Sequence, residues 1–129
     1  MNRKWHIIYY ETSDGHCPVQ EFIDARKERN QAKTLSWIAQ LEGQGPNLPR
    51  PYADLLEDGI HELRVRLSGD QVRILYFFCF RDFIVLTHGF VKRTGRVPQS
   101  EIDLSKKYRT DFLARYDEQK LKEEFNEEF

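Results

Sequence analysis

The clearest pattern in this chain is an alternation of apolar and polar side chains over residues 60–67. This period of two is typical of a β-strand with one buried face. Residues 72–79 are nearly all apolar, which indicates a central strand that is covered on both faces. Turn signals at 68–70 and 81–82 separate these strands from a third strand over 83–91. The pattern therefore predicts a three-stranded antiparallel meander.

Helical periods lie before and after this meander. Apolar residues recur three and four positions apart after Pro18, and again over 32–41, where a glycine- and proline-containing stretch at 43–46 ends the pattern. These two segments predict a helical hairpin. Proline 98 is well placed to begin a last helix, which we expect to run to about residue 114. A first short strand is predicted over 5–10.

The order of the elements is strand, two helices, meander and helix, with a proline-rich loop over 47–52. It predicts an α+β domain in which the helices pack on one face of a four-stranded, mainly antiparallel sheet. The length of 129 residues fits one such domain, which we place at residues 1–115. Residues 116–129 form an acidic tail, and its part over 119–129 is predicted to be a frayed helix or disordered.

The charges are distributed unevenly, although the net charge is only −1. Seven basic and three acidic residues lie between positions 60 and 96, whereas 115–129 contains three basic and six acidic residues. A basic middle section joined to an acidic tail is compatible with a binding site for a polyanion in the middle section.

Several classes of protein lack their signals in this sequence. The longest apolar run, 74–80, is too short to span a bilayer, and no apolar export segment follows the charged N-terminus. We therefore expect a cytoplasmic protein without a membrane partner. The two cysteines form no C-x-x-C pair, and the adjacent His16 and Cys17 are too few ligands for structural zinc. Nucleotide-binding, zinc-protease and serine-hydrolase motifs are also absent, so we expect no metal and no cofactor.

Polar groups on the meander are the candidates for chemistry. Arg64 and Arg66, two residues apart, project from the same side of their strand. His88 and Lys92 share a face of the third strand, with Phe90 between them. Each arrangement also has an ordinary structural explanation, because the arginines could form a solvated strand face and the histidine could be structural.

Arg73 is the one charged residue within the long apolar strand. A charge at such a position must be paired or must face a cleft. Glu62 and Glu57 are the carboxylates that could form a buried structural pair with it. A structural role and a functional role for Arg73 are therefore both open.

Cations and a histidine on neighbouring strands suit the cleavage of RNA. No metal is required, because the 2′-OH of the RNA is the nucleophile; the enzyme must remove its proton, stabilise charge on the phosphate and protonate the leaving 5′-oxygen. Histidine suits either proton transfer, and arginine binds phosphate oxygens while it keeps its charge. An aromatic residue such as Phe90 or Tyr76 can stack on an unpaired base.

Three stretches of the meander resemble motifs of the RelE/HigB toxin superfamily. Residues 59–66 resemble its G-x-x-E-L-R strand. Residues 72–77 resemble the x-R-I-L-Y-F strand of the phage-derived, HigB-like branch, and residues 86–94 resemble its L-x-H-G-F-x-K-K-T segment. The segments that begin at Pro18 and Pro98 are similar to the opening and closing helices of that branch. The similarity extends from about residue 8 to residue 113, with the motifs in the same order and at the right separations.

This resemblance implies a microbial-ribonuclease-type fold and a type II toxin–antitoxin toxin that cleaves mRNA at the ribosome. It also implies a helix-turn-helix antitoxin as the partner. The toxin would contact operator DNA only through this antitoxin. By analogy, three arginines would bind and stabilise the phosphate, and either His88 or Lys92 would transfer protons. We favour His88 as the general base or acid, with Lys92 supporting charge. The implied catalytic residues are Arg64, Arg66, Arg73, His88 and Lys92. The candidate RNA contacts are Tyr76, Phe90, Arg93 and Arg96.

Two departures from the branch and two other functions bear on this interpretation. Arg93 stands where the branch usually has lysine, and the acidic tail exceeds its usual end. The related ParE branch shares the fold but inhibits DNA gyrase through protein contact, and a degenerate toxin would only bind its antitoxin. The pairing of His88 with Lys92 favours the enzyme over these alternatives.

Overall fold

The elements of the structure follow the predicted order, with one added strand and with a short helix at the start of the tail segment that was predicted to be a frayed helix or disordered. The computed structural model describes residues 5–93 and 95–124. Its elements are β1 (His6–Tyr9), α1 (Pro18–Asp24), α2 (Glu28–Gln44), β2 (Ala53–Glu57), β3 (Ile60–Leu67), β4 (Asp70–Cys79), β5 (Phe83–Lys92), α3 (Gln99–Arg115) and α4 (Glu118–Glu124). A single 3-10 turn, Gly45–Asn47, follows α2. Thr94 of the 86–94 motif and residues 125–129 of the acidic tail lie outside the described residues.

The strands form one five-stranded mixed sheet in the order β1-β5-β4-β3-β2. The strands β2 to β5 pair antiparallel in succession, and β1 lies parallel to β5. The prediction of four strands was wrong because it omitted the edge strand β2, in which Ala53 pairs with Leu63 of β3. The sequence of β2 includes two acidic residues and has little preference of its own for a strand. Pairing with β3 is what keeps this segment extended.

Helices cover both faces of the sheet, and not one face as predicted. Val19 of α1 and Leu41 of α2 are fully buried in a core on one face. Phe112 of α3 and Leu121 of α4 belong to a second core on the other face. β4 contributes apolar side chains to both cores, which explains why its sequence shows no polar alternation. No helix within the described residues is long and apolar enough to cross a membrane.

Helix α3 is tied to the turn between β2 and β3. Lys106 forms an ion pair with Glu57, and Gln99 Nε2 donates to Glu57 Oε2 at 3.2 Å. Arg109 Nη2 donates to Asp58 Oδ2 at 3.1 Å. These contacts fix the position of α3, and of the residues in its first turn, relative to the sheet.

Candidate active site

Strand register brings most of the predicted site residues into two rows on one face of the sheet. Arg64 lies opposite Arg73, which in turn lies opposite Phe90. The next row consists of Arg66 in β3, Gln71 in β4 and Lys92 in β5. Both rows lie on the face that α3 covers in part, because they alternate with the residues of the core on the other face.

A bulge in β5 decides which side chains of that strand belong to this face. Leu75 pairs with His88 but Tyr76 pairs with Leu86, so Thr87 is an extra residue in β5. The alternation of side chains changes phase at this point. His88 therefore shares a face with Leu75, whereas an unbroken alternation would have turned it toward α1 and α2.

Glu62 organises the two central arginines. Arg73 Nε donates to Glu62 Oε1 at 3.0 Å, and Arg64 donates through Nε and Nη2 to Glu62 Oε2 at 3.1 and 2.8 Å. Glu62 is 3% exposed and Arg73 is 7% exposed. Burial lowers the pKa of the Arg73 guanidinium, and the charge of Glu62 opposes this shift. The sequence left Glu62 and Glu57 open as partners of Arg73. In the structure Arg73 is paired with Glu62, whereas Glu57 is paired with Lys106.

A cleft of about 400 Å³ lies beside these paired arginines. Its charged lining residues are Asp54, Glu62, Arg64, Arg73, Lys92 and Arg96. Asp54 Oδ2 accepts a hydrogen bond from Arg64 Nη2 at 3.4 Å, and Lys92 Nζ donates to the backbone oxygen of Gly95 at 3.1 Å. Cations outnumber carboxylates in this lining, so the cleft suits an anionic group such as a phosphate.

His88 lies beneath helix α3 and is 5% exposed. Its Nε2 is 2.9 Å from Glu101 Oε1, and its Nδ1 is 3.2 Å from Thr87 Oγ1. The Thr87 hydroxyl is also 2.7 Å from Ser105 Oγ. Burial lowers the pKa of His88, and Glu101 opposes this shift. Both ring nitrogens therefore have partners, and the side chain does not line the cleft that contains Arg73.

The predicted RNA contacts are divided between the two faces and the surface. Phe90 is partly buried, and its ring stacks on His88 with the ring centroids 5.7 Å apart and the planes at 29°. Arg93 and Arg96 are exposed in the loop after β5. Tyr76, in contrast, is 2% exposed in the core against α1 and α2, where it stacks on His61 at 5.3 Å. Tyr76 therefore lies outside the group that the structure brings together.

Some residues of the site were not identified as site residues from the sequence. Glu62 was considered only as a partner for Arg73, although its position two residues before Arg64 places both on the same side of a strand. Asp54 belongs to the unpredicted strand β2, so no local signal indicated it. The contact of Glu101 with His88 joins residues of two separate elements and depends on how α3 packs.

Neither cysteine lines this cleft. Within residues 5–93 and 95–124, no three His, Cys, Asp or Glu side chains come together in a way that could hold a metal ion. Burial raises the pKa of Cys79 to about 12 and also raises that of Cys17. Both thiols are therefore protonated near neutral pH, which makes them weak nucleophiles.

The chain matches a known protein family over most of its length. The family is described as "Phage derived protein Gp49-like (DUF891)", and the match covers residues 21–110. No curated protein matches the chain. Among solved structures, a chain in the crystal structure of the archaeal RelE–RelB complex from Pyrococcus horikoshii OT3 is 17% identical to it with a TM-score of 0.49. That alignment covers 74% of this chain and 100% of the archaeal chain.

Proposed function

We propose a toxin function for this chain because it belongs to the Gp49-like family of phage-derived proteins, a family of the RelE toxin type. In this proposal it is the toxin of a type II toxin–antitoxin system and an endoribonuclease that cleaves mRNA on the ribosome. Its partners are a helix-turn-helix antitoxin, the ribosome and the mRNA, and it reaches operator DNA only through the antitoxin. It acts in the cytoplasm, and the cleavage uses no metal.

The observation that carries the proposal is the pair of arginines that Glu62 holds at the wall of the cleft. Arg73 is nearly buried and Arg64 is partly exposed, and each donates to one oxygen of the same carboxylate. Guanidinium groups that are already oriented bind a phosphate with little loss of side-chain freedom. We assign to Arg64 and Arg73 the stabilisation of charge on the scissile phosphate, and to Arg66 contact with a neighbouring phosphate.

Proton transfer in this proposal involves His88 and Lys92. Burial favours the neutral imidazole, which is the form that a general base needs to accept the proton of the 2′-OH. Because His88 Nε2 is bound to Glu101 Oε1, the RNA reaches the ring only when the Glu101 side chain turns away. Lys92 lines the cleft, where it supports the charge that develops on the leaving 5′-oxygen and donates the proton that this oxygen takes up.

The test is to induce the chain without a partner protein and to follow protein synthesis, mRNA integrity and the SOS response in the same culture. The proposal predicts a rapid arrest of protein synthesis with fragmented mRNA and no SOS response. An SOS response with intact mRNA would instead indicate a gyrase inhibitor of the ParE type. Normal growth would indicate a degenerate toxin that only binds its antitoxin.

Variants then locate the site. Combining Arg73→Ala with His88→Ala is expected to relieve the arrest, and arrest by a folded double variant would contradict the proposed site. Because both residues are buried, Lys92→Ala tests the cleft in a chain that is expected to fold normally. Lys107→Ala removes an exposed lysine of α3 outside the cleft and is the matched control.

A further inference from the structure

We propose that a second depression beside the cleft binds an unpaired nucleobase of single-stranded RNA. This depression, which we call the aromatic groove, has a volume of about 440 Å³. Its aromatic and cationic lining residues are Lys33, Trp37, Tyr52, Arg64, Arg66 and Arg73. The inference rests on the proposed function, since it takes RNA as the substrate, and it adds a base-binding subsite that the motifs of the chain do not indicate.

Two stacked aromatic rings form one wall of the aromatic groove. The ring centroids of Trp37 in α2 and Tyr52 in the loop before β2 are 4.8 Å apart, with the ring planes at 23°. Trp37 is partly buried, whereas Tyr52 is 42% exposed. A supported ring with a free outer face is the kind of platform on which any base can stack, because every base has a π-face.

The charges of the aromatic groove favour a nucleic acid. Lys33 and Arg66 are exposed, and neither side chain forms a hydrogen bond or an ion pair with any of the described residues. None of the described residues that line the groove is acidic. A positively charged groove with an aromatic platform is the general arrangement by which proteins bind single strands.

The aromatic groove shares two lining residues with the cleft. Arg64 and Arg73 line both depressions, so the same two arginines border the proposed phosphate site and the groove that contains Tyr52. A backbone oxygen of Pro51, next to Tyr52, lies 3.4 Å from Arg64 Nη1 and ties the loop to this arginine. A strand whose phosphate occupies the cleft can therefore place a neighbouring base on Tyr52.

The test measures binding without cleavage. The probe is a fluorescent single-stranded RNA with 2′-O-methyl groups, which lacks the attacking hydroxyl, and its companion is a backbone of equal length without bases. We expect Tyr52→Ala to weaken binding of the probe by about 5- to 150-fold, the range for loss of one stacked base. The affinity for the abasic companion should change little. Tyr52→Phe keeps the ring and should bind like wild type, as should Leu113→Ala, which removes an exposed apolar side chain elsewhere.

A charge variant separates stacking from electrostatics. Arg66→Ala should weaken binding of both the probe and the abasic companion and should reduce the salt dependence of binding. If Tyr52→Ala lowers the affinity for both ligands equally, or for neither, the base-binding role of Tyr52 is refuted. The same holds if Tyr52→Ala leaves RNA binding intact and impairs only binding of the antitoxin, because the groove would then be a protein interface.

Cleavage is followed separately on translating ribosomes, which distinguishes this inference from the proposed function. Probe binding that depends on Tyr52, without any cleavage, would support the groove and contradict the ribonuclease. If Tyr52→Ala cleaves mRNA at the wild-type rate and binds the probe with unchanged affinity, the ribonuclease is supported and the base-binding role of the groove is contradicted. A photoreactive phenylalanine at position 52 identifies the source of the base: cross-links to mRNA or to ribosomal RNA support the inference, and cross-links only to protein overturn it.

Discussion

Replacing Glu62 with glutamine removes the charge that Arg64 and Arg73 share. The Arg73 side chain is 9% exposed, and its other acceptors among the described residues are neutral: the backbone oxygen of Val72 at 3.1 Å and Gln71 Oε1 at 3.3 Å. The Arg64 side chain is 28% exposed and would keep its ion pair with Asp54. The cost of the substitution therefore falls mainly on Arg73, whose charge would be buried without a counter-ion.

The magnitude follows from this difference in burial. Removing one member of a buried ion pair costs about 3–5 kcal/mol, because the remaining charge is left uncompensated. Glutamine still offers one acceptor oxygen to Arg73, and Arg64 can turn toward water and Asp54, so we expect the lower end, about 3 kcal/mol. With a urea m-value of about 2 kcal/mol per molar, typical of small domains, the unfolding midpoint should fall by roughly 1.5 M.

The assay is equilibrium unfolding in urea, followed by the fluorescence of Trp5 and Trp37 and by far-ultraviolet circular dichroism. Glu11→Gln, an exposed substitution, is the control and should change the free energy of unfolding by less than about 0.5 kcal/mol. A loss below about 1 kcal/mol for Glu62→Gln would contradict a buried, uncompensated Arg73 charge, because losses of that size are typical of solvated surface salt bridges.

Two further predictions concern packing and pH. A Cβ at Gly89 would lie 2.8 Å from Phe22 Cδ2, so Gly89→Ala should lower the free energy of unfolding in urea by about 1–3 kcal/mol. Gly43→Ala in α2 places its Cβ in open space and should raise that free energy by up to about 1 kcal/mol. Equal effects of the two substitutions would contradict the close packing of Phe22 on Gly89. Burial lowers the pKa of His88 below its ordinary value of 6.5, although Glu101 opposes this shift. The unfolded chain therefore binds the proton more readily than the folded chain, and the free energy of unfolding falls as the pH drops below about 6.5. His88→Gln should make that fall shallower in thermal unfolding at several pH values, and an unchanged slope would show that His88 does not contribute to it.

The sequence predicts an element well when the residues of that element carry its pattern. The alternation over 60–67 and the apolar run over 72–79 correspond closely to β3 (Ile60–Leu67) and β4 (Asp70–Cys79), because both signals are local. β2 has no such signal and becomes a strand through its partner. The apolar run in β4 already required cover on both faces, which contradicts the prediction that the helices share one face.

The same difference between local and non-local signals applies to the residues of the candidate site. Alternation along one strand places Arg64 with Arg66, and the same rule places Arg73 and Tyr76 on opposite faces of β4, so the position of Tyr76 could have been predicted from the strand alone. The orientation of His88 depends on the bulge at Thr87, which changes the phase of β5 and has no local signature.

In the proposed function, the arginines at the cleft serve the cleavage of translated mRNA. Primer extension on cellular mRNA shortly after induction of the chain alone tests it most directly, with wild type compared with Arg73→Ala, Lys92→Ala and the control Lys107→Ala. We expect new 5′ ends within translated codons for wild type and the control, and roughly 100-fold fewer in the two cleft variants. Growth arrest without such ends, or equal ends in all four proteins, would contradict it.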